Sequence, residues 1–421
     1  MKKRVLFYGD SPTTKTGFGR VSGNVLDILY KTGKYDIDCW GVNYHGTPHS
    51  FPFRIWPAAD YQENDPYGRK RFFNFALAHD FDILFVLQDT FIVSFLPPLY
   101  QMAKERGKKP FKTIMYYPVD SVIKKDWYDN IKVVDKLVCY TEFGKKETLV
   151  NDPTRDIEVI YHGVNQREFF PLPKDKVQEF RKRYFGGQAD KFIFTNVSRN
   201  QQRKSIPRNL LAFSEFHKQV PNSVLYLHMA AVDQGWNIPE LCNRLGLSTK
   251  TDVLLPEKNF EPNQAYPVEI LNMLYNCSDC LMSTTLGEGF GLSWIEAMAC
   301  GVPVIMPNNT AMSELITEDR GYLINSGSNS NLWDCVPNDN EVFRPLVDVE
   351  HAVQLMLEVY ENYPEAQKKA QNAYKWVMDS FTWDGKISKQ WQKIFSDVAK
   401  SLDAPATMAD NTKKIINAEV L

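Results

Sequence analysis

The sequence has no apolar stretch approaching the ~20 residues that cross a bilayer, no fixed-period repeat and no low-complexity tract. These absences leave no candidate for a membrane-spanning helix and no sign of a repeat architecture. Cysteine is sparse. The seven residues, at 39, 139, 242, 277, 280, 300 and 335, are odd in number and scattered, which excludes a disulfide framework and fits reduced thiols. Cys277 and Cys280 form a lone CxxC with no second pair and no neighbouring His, so buried packing is expected of them rather than metal or redox chemistry. The opening MKKRVLFYGDSPTT carries only Val5 to Tyr8 as an apolar run. That is too short for a secretory leader, and a cytoplasmic chain is expected. Net charge is nearly absent, at −2, but residues 1–165 hold 23 Lys and Arg against 20 Asp and Glu, and the remainder 26 against 31. Basic residues cluster at Arg69–Arg71, at Arg106, Lys108, Lys109 and Lys112, and at Lys124–Lys125. Solvated surface explains such runs; an anionic partner held by the first half is the sharper alternative.

What is present is an ordinary globular composition, 43% hydrophobic over 421 residues, longer than one hydrophobic core usually serves. Short apolar runs alternate with helical periods. The runs Arg4–Tyr8, Ile37–Val42, Ile83–Leu87, Thr113–Tyr117 and Lys136–Tyr140 read as strands. A break follows at Tyr161–Asn165, with Pro171 and Pro173 beyond it, and the alternation restarts at Lys191–Val197, Ser223–His228, Asp252–Leu255, Cys280–Ser283 and Val302–Met306. This is the pattern of parallel sheets covered by helices on both faces. Two Rossmann-like, doubly wound α/β domains are predicted: residues 1–165, residues 166–384, and a segment 385–421 that returns as a helix to the first domain and ends in a polar tail. Ligands bind such sheets beyond the carboxyl ends of the strands, so the site belongs in the cleft between the two domains.

The segment with most chemistry is Ser283–Val304, STTLGEGFGLSWIEAMACGVPV. A strand ends at Ser283, and Gly287, Gly289 and Gly291 allow backbone to approach a ligand. A helix then opens near Gly291 with its free N–H groups facing the cleft, a ready diphosphate site. Glu288 is placed to meet a sugar, and Glu296 can accept two hydrogen bonds from a ribose diol. The spacing E-x7-E with the Ala-Met-Ala-Cys-Gly-Val-Pro-Val continuation resembles the donor-binding signature of the retaining GT-B enzymes called glycosyltransferase family 4. The resemblance implies a GT-B fold and metal-independent transfer of a sugar, with retention, from a nucleotide diphosphate (a UDP-sugar) to a hydroxyl of a saccharide or glycoconjugate. The nucleotide sugar is then a substrate, and neither cofactor nor metal is expected. D-x-D pairs, Asp36–Asp38 and Asp80–Asp82, lie at strand starts away from the cleft end.

On this resemblance the donor is held by Gly289, Phe290, Gly291, Leu292 and Glu296, by Arg199 and Lys204 after the first strand of the second domain, and by Gly17 and Gly19 of the loop Ser11–Arg20. Arg199 and Lys204 would stabilise the departing diphosphate. With Glu288 and Asp120 they form the expected catalytic set. The glycines at 17, 19 and 23 are spaced G-x-G-x3-G, one residue off the dinucleotide fingerprint. Arg203 and Arg208 match no motif and are read as surface charge. Acceptor-side candidates are Arg20, His45, Asp89 and Asp120, and Glu314 aligns with a family Glu, with helix capping as its plain alternative. Residues 326–345 are an insertion relative to the usual family link and leave one wall of the donor pocket open to question. Three other readings stay open: the same chemistry on a hydroxylated DNA base, a GT-B sugar-nucleotide epimerase, and a non-catalytic sugar-nucleotide-binding module. The oligomeric state is left undetermined.

Overall fold

The structure, a computed structural model, describes residues 2–256 and 266–403. Most of the polar tail, 404–421, lies outside the described residues. The first sheet has seven parallel strands in the order β3-β2-β1-β4-β5-β6-β7. They are β1 Lys3–Asp10, β2 Tyr35–Val42, β3 Arg54–Pro57, β4 Ile83–Leu87, β5 Lys112–Tyr117, β6 Lys136–Cys139 and β7 Ile157–Val159. The second has six parallel strands in the order β10-β9-β8-β11-β12-β13: β8 Phe192–Val197, β9 Ser223–His228, β10 Val253–Leu254, β11 Cys280–Met282, β12 Val304–Pro307 and β13 Tyr322–Ile324. In both, the chain steps outward on one side and then returns to the centre, so β1/β4 and β8/β11 are the switch points where such sheets bind ligands. Two Rossmann-like units are therefore observed. The edge strands β3, β7 and β13 are not among the runs read as strands.

Central strands are buried on both faces, which is why they read as unbroken apolar runs: Ile83–Leu87 is buried throughout. Four helices position the site. Helix α1, Gly17–Lys31, begins three residues before the predicted Arg20 because Thr16 caps it, accepting from the Gly19 N–H. Helix α2 is Glu142–Leu149, α3 is Leu292–Ala299 and α4 is Ser388–Asp403. At Val164 and Phe381–Trp383 two chain segments exchange backbone hydrogen bonds, Val164 N–H to Phe381 at 2.6 Å and Trp383 N–H to Val164 at 3.3 Å. There the chain crosses back, and α4 packs under the first sheet through Trp391 against Phe85 and Tyr116. Cys277 and Cys280 are buried free thiols. Among the described residues no helix is long and apolar enough to cross a membrane.

Candidate active site

A cleft of about 1060 Å³ separates the carboxyl ends of the two sheets. The predicted catalytic, donor and acceptor residues line it except Gly19, and Gly287 and Glu314 do not line it either. The donor loop is built by its glycines. Gly291 precedes α3 at φ +93°, and a Cβ there would run into the Trp294 ring, so only glycine fits. No side chain caps α3, and its first N–H groups remain available to an anion. Gly287 and Gly289 differ from expectation. A Cβ on Gly287 would strike the Asp120 carbonyl, and one on Gly289 would lie 2.6 Å from Pro118. Their small size lets the loop approach the opposite domain.

At the nucleotide end, Glu296 is only 3% exposed. Its Oε1 lies 2.6 Å from Arg20 Nη1, and its Oε2 accepts from the Tyr275 hydroxyl at 2.9 Å. Burial pushes the Glu296 carboxyl above its usual range, against the opposing pull of Arg20 and Tyr275. Arg20 therefore moves from the acceptor side, where the sequence reading put it, to a partner of the ribose-binding candidate. Gly19 moves too: it is buried beneath Thr14 and Ser11, and its place is in closing the loop. Gly17 stays at the cleft, facing Leu292.

At the other end, Glu288 pairs with Lys204 and with Arg203 Nη1 at 3.3 Å, and accepts from the Thr285 hydroxyl at 3.1 Å. Burial opposes its ionisation, but Lys204 and then Arg203 outweigh it and hold the carboxyl down to about 2. Glu288 is an anion at any working pH. Burial and Arg203 pull Lys204 below its ordinary value against Glu288. Arg203 is not the surface charge its lack of motif suggested: its Nε lies 3.2 Å from Asp120, and Nη1 also donates to the Gly287 carbonyl. Arg199 points to Asp233 at 3.1 Å and is 41% exposed. Arg208 donates to the Val347 carbonyl at 2.8 Å, a packing role.

The wall of the first domain carries Asp10, Asp89 and Asp120 at the ends of β1, β4 and β5. Burial, with Asp120 and Asp10 against the opposing Arg203, pushes the Asp89 carboxyl up to about 7. Asp120 is bracketed by two guanidinium groups, Arg203 and Arg344 at 3.1 Å. His45 is exposed and stacks on Tyr61, whose hydroxyl is 3.1 Å from its Nδ1. The reading missed His162, noted only as part of a chain break. It is 3% exposed, lines the cleft beneath Phe290, and burial lowers its pKa to about 3. The Tyr116 hydroxyl donates to the Ile160 carbonyl at 2.6 Å and sits 2.7 Å from His162 Nδ1. That hydroxyl is thus left to accept from Nδ1–H, and Nε2 keeps its lone pair. Glu314 lies outside the cleft and does cap a helix: its carboxylate accepts the Glu142 and Phe143 N–H groups at 3.1 and 2.7 Å, tying the second domain to α2 of the first.

Most residues of the basic clusters pair with neighbours at the surface. Lys70 pairs with Glu63 at 3.0 Å, Lys109 with Asp82 at 2.8 Å and Lys112 with Asp135 at 2.9 Å. Arg71 donates to the Ala59 carbonyl at 2.9 Å, and none of the clusters lines the cleft.

Two parallel-sheet Rossmann-like domains facing a cleft, with an E-x7-E loop and helix on one side, define the GT-B class. Residues 177–334 match the family described as Glycosyl transferases group 1. It is 27% identical over 251 residues to the N-acetyl-alpha-D-glucosaminyl L-malate synthase of Bacillus anthracis, covering 59% of this chain and 55% of that protein. It is 25% identical over 206 residues to a D-inositol 3-phosphate glycosyltransferase of Corynebacterium kroppenstedtii, covering 47% and 44%. The matched stretches thus span about half the length of these relatives. Among solved structures, sucrose-phosphate synthase from Thermosynechococcus elongatus superposes with a TM-score of 0.71 at 16% identity, over 95% of this chain and 100% of that one. HepE of Anabaena, in complex with UDP-glucose, superposes at 0.68 with 15% identity over 94% and 100%. At these identities the likeness is one of fold.

Proposed function

We propose that the chain transfers a sugar from a nucleotide diphosphate to a hydroxyl acceptor, with retention and without a metal. The observation that carries this reading is the convergence, in one cleft, of the uncapped α3 terminus with Glu296 at its ribose end and the Glu288–Lys204–Arg203 cluster at its sugar end. The α3 N–H groups take the diphosphate. Lys204 and Arg203 offset the charge that grows on it as the sugar leaves. Glu288, always ionised, accepts hydrogen bonds from sugar hydroxyls. On the acceptor wall Asp120 is already held by two cations, which leaves Asp89, titrating near neutrality, to receive the acceptor hydroxyl.

The acceptor on this reading is a saccharide or glycoconjugate. A polyanion would need free cations, and those of the first domain are largely paired with acids and carbonyls away from the cleft. The test is a thermal-shift screen of UDP-, GDP- and ADP-sugars, with UDP-glucose first because HepE holds it, followed by mass spectrometry of candidate acceptors. Stabilisation by one nucleotide sugar and a mass gain of one glycosyl unit on an acceptor are expected. A donor converted to its epimer without any acceptor would replace transfer with epimerisation, and binding without turnover would make the chain a binding module.

A further inference from the structure

The inserted residues 326–345 fold into an antiparallel hairpin, β14 Trp333–Cys335 and β15 Phe343–Pro345, with Asp334 opposite Arg344. Its aromatic residues Trp333 and Phe343 face solvent, yet Arg344 is 3% exposed. The guanidinium is held by two aspartates. Nε and Nη2 donate to Asp339 at 2.6 and 2.9 Å, and Nη1 donates to the Asp120 carbonyl at 2.5 Å and its carboxylate at 3.1 Å. Four of its five N–H donors are thus spent on two aspartates, and its link to the donor loop passes through Asp120.

Asp120 in turn holds Arg203, which holds Glu288 beside Lys204. Charges therefore alternate in sign from the hairpin, across the first domain, to the donor loop: Asp339, Arg344, Asp120, Arg203, Glu288, Lys204. Glu296 and Arg20 form a separate pair. We propose that Arg344 is a positioning residue for transfer, and that the inserted hairpin belongs to the active site. By fixing Asp120 from outside, it keeps Arg203 turned toward Glu288 and sets how closely Gly287 meets the first domain. Without Arg344, Asp120 draws Arg203 to itself and Glu288 loses one of its two cations. The transition state is then misaligned while the nucleotide end is untouched, a displacement of the kind that costs rate rather than affinity.

This inference rests on the sugar-transfer reading. The test uses the full chain with UDP-glucose as probe donor and UDP release, to acceptor or water, as signal. Arg344→Met should lower kcat by roughly 10- to 100-fold with the UDP-glucose KM within about twofold. Arg344→Lys should recover part of the loss, because one cation still reaches Asp120. In an Asp120→Asn background Arg344→Met should cost little more, since the residue it acts through is gone. Independently of turnover, amide exchange in Arg344→Met should quicken at residues 119–121 and 286–289 while 292–299 keep their protection. A kcat within about twofold of wild type, losses that multiply in the double variant, or unchanged exchange at 119–121 would each overturn the proposal. A wild-type chain that binds no nucleotide sugar would instead sink the transfer reading, and the exchange result would still decide the role of Arg344.

Discussion

Replacing Glu296 by Gln probes the nucleotide end. The carboxylate spends one oxygen on Arg20 at 2.6 Å and the other on Tyr275 at 2.9 Å. It offers about four lone-pair sites in all, so about two remain for the two hydroxyls of a ribose. Gln keeps the shape but has a single acceptor oxygen, which Arg20 will claim, and its NH2 turns to Tyr275. The diol then loses a charged partner, a loss of about 1.5–3 kcal/mol, or roughly 10- to 150-fold in Kd. UDP alone is the proper ligand, because the diol is on the nucleotide, and isothermal calorimetry reads the change directly. The pH dependence adds a second check. Burial raises the Glu296 pKa, so acidification should weaken UDP binding to wild type but leave Glu296→Gln flat. Arg20 is about one-third exposed and keeps water as a partner, so the variant should lose only about 1 kcal/mol of stability. An unchanged UDP affinity in a variant that melts like wild type would remove Glu296 from the site.

Lys204→Met should lower turnover by about 10²-fold or more, while Arg199→Met, whose partner Asp233 lies off the reacting end, should change it by less; the reverse order of the two in steady-state assays would return Arg199 to the leaving group. Asp89→Asn should raise thermal stability at pH 8 and lose that advantage by pH 4. The native Asp89 holds a proton between about pH 4 and 7 that the unfolded chain releases, so its stabilising contribution disappears as pH rises to 7; melting curves with the opposite pH trend would refute this. Turnover should survive excess EDTA, and abolition reversed by a divalent ion would overturn the metal-free reading.

The architecture was legible because it is written locally. Buried parallel strands such as Ile83–Leu87 are continuous apolar runs, and the donor loop, the helix after it and both glutamates lie within one stretch of chain. Arg203 illustrates what local reading misses. Beside Arg199 and Lys204 it looked like one more basic residue, and only the fold shows that its partners are Glu288 and Asp120. His162 had no signal beyond its position at a chain break, since its burial depends on Tyr116, Tyr140 and Phe290 arriving from three other segments. Arg344 is the extreme case. It sits in a polar insertion that composition marks as loop, and its partner Asp120 is 224 residues away.

The pairing also constrains how a donor can bind. Arg199, Arg203 and Lys204 each already face a protein anion, so none of the three offers a diphosphate an unpaired charge. A nucleotide sugar must exchange partners instead. Of the three, Lys204 is the one whose exchange is productive. It adjoins the donor loop, burial has already lowered its affinity for its proton, and leaving Glu288 for a phosphate trades one close anion for another at small net cost. The trade frees a Glu288 oxygen at the moment the sugar arrives beside it. Arg203, anchored by Asp120 on its far side, stays and keeps Glu288 ionised while that happens. On the proposed reading, diphosphate capture and sugar capture are coupled through one carboxylate, and nucleotide alone should bind less tightly than nucleotide sugar, because UDP would take Lys204 away without supplying hydroxyls to Glu288.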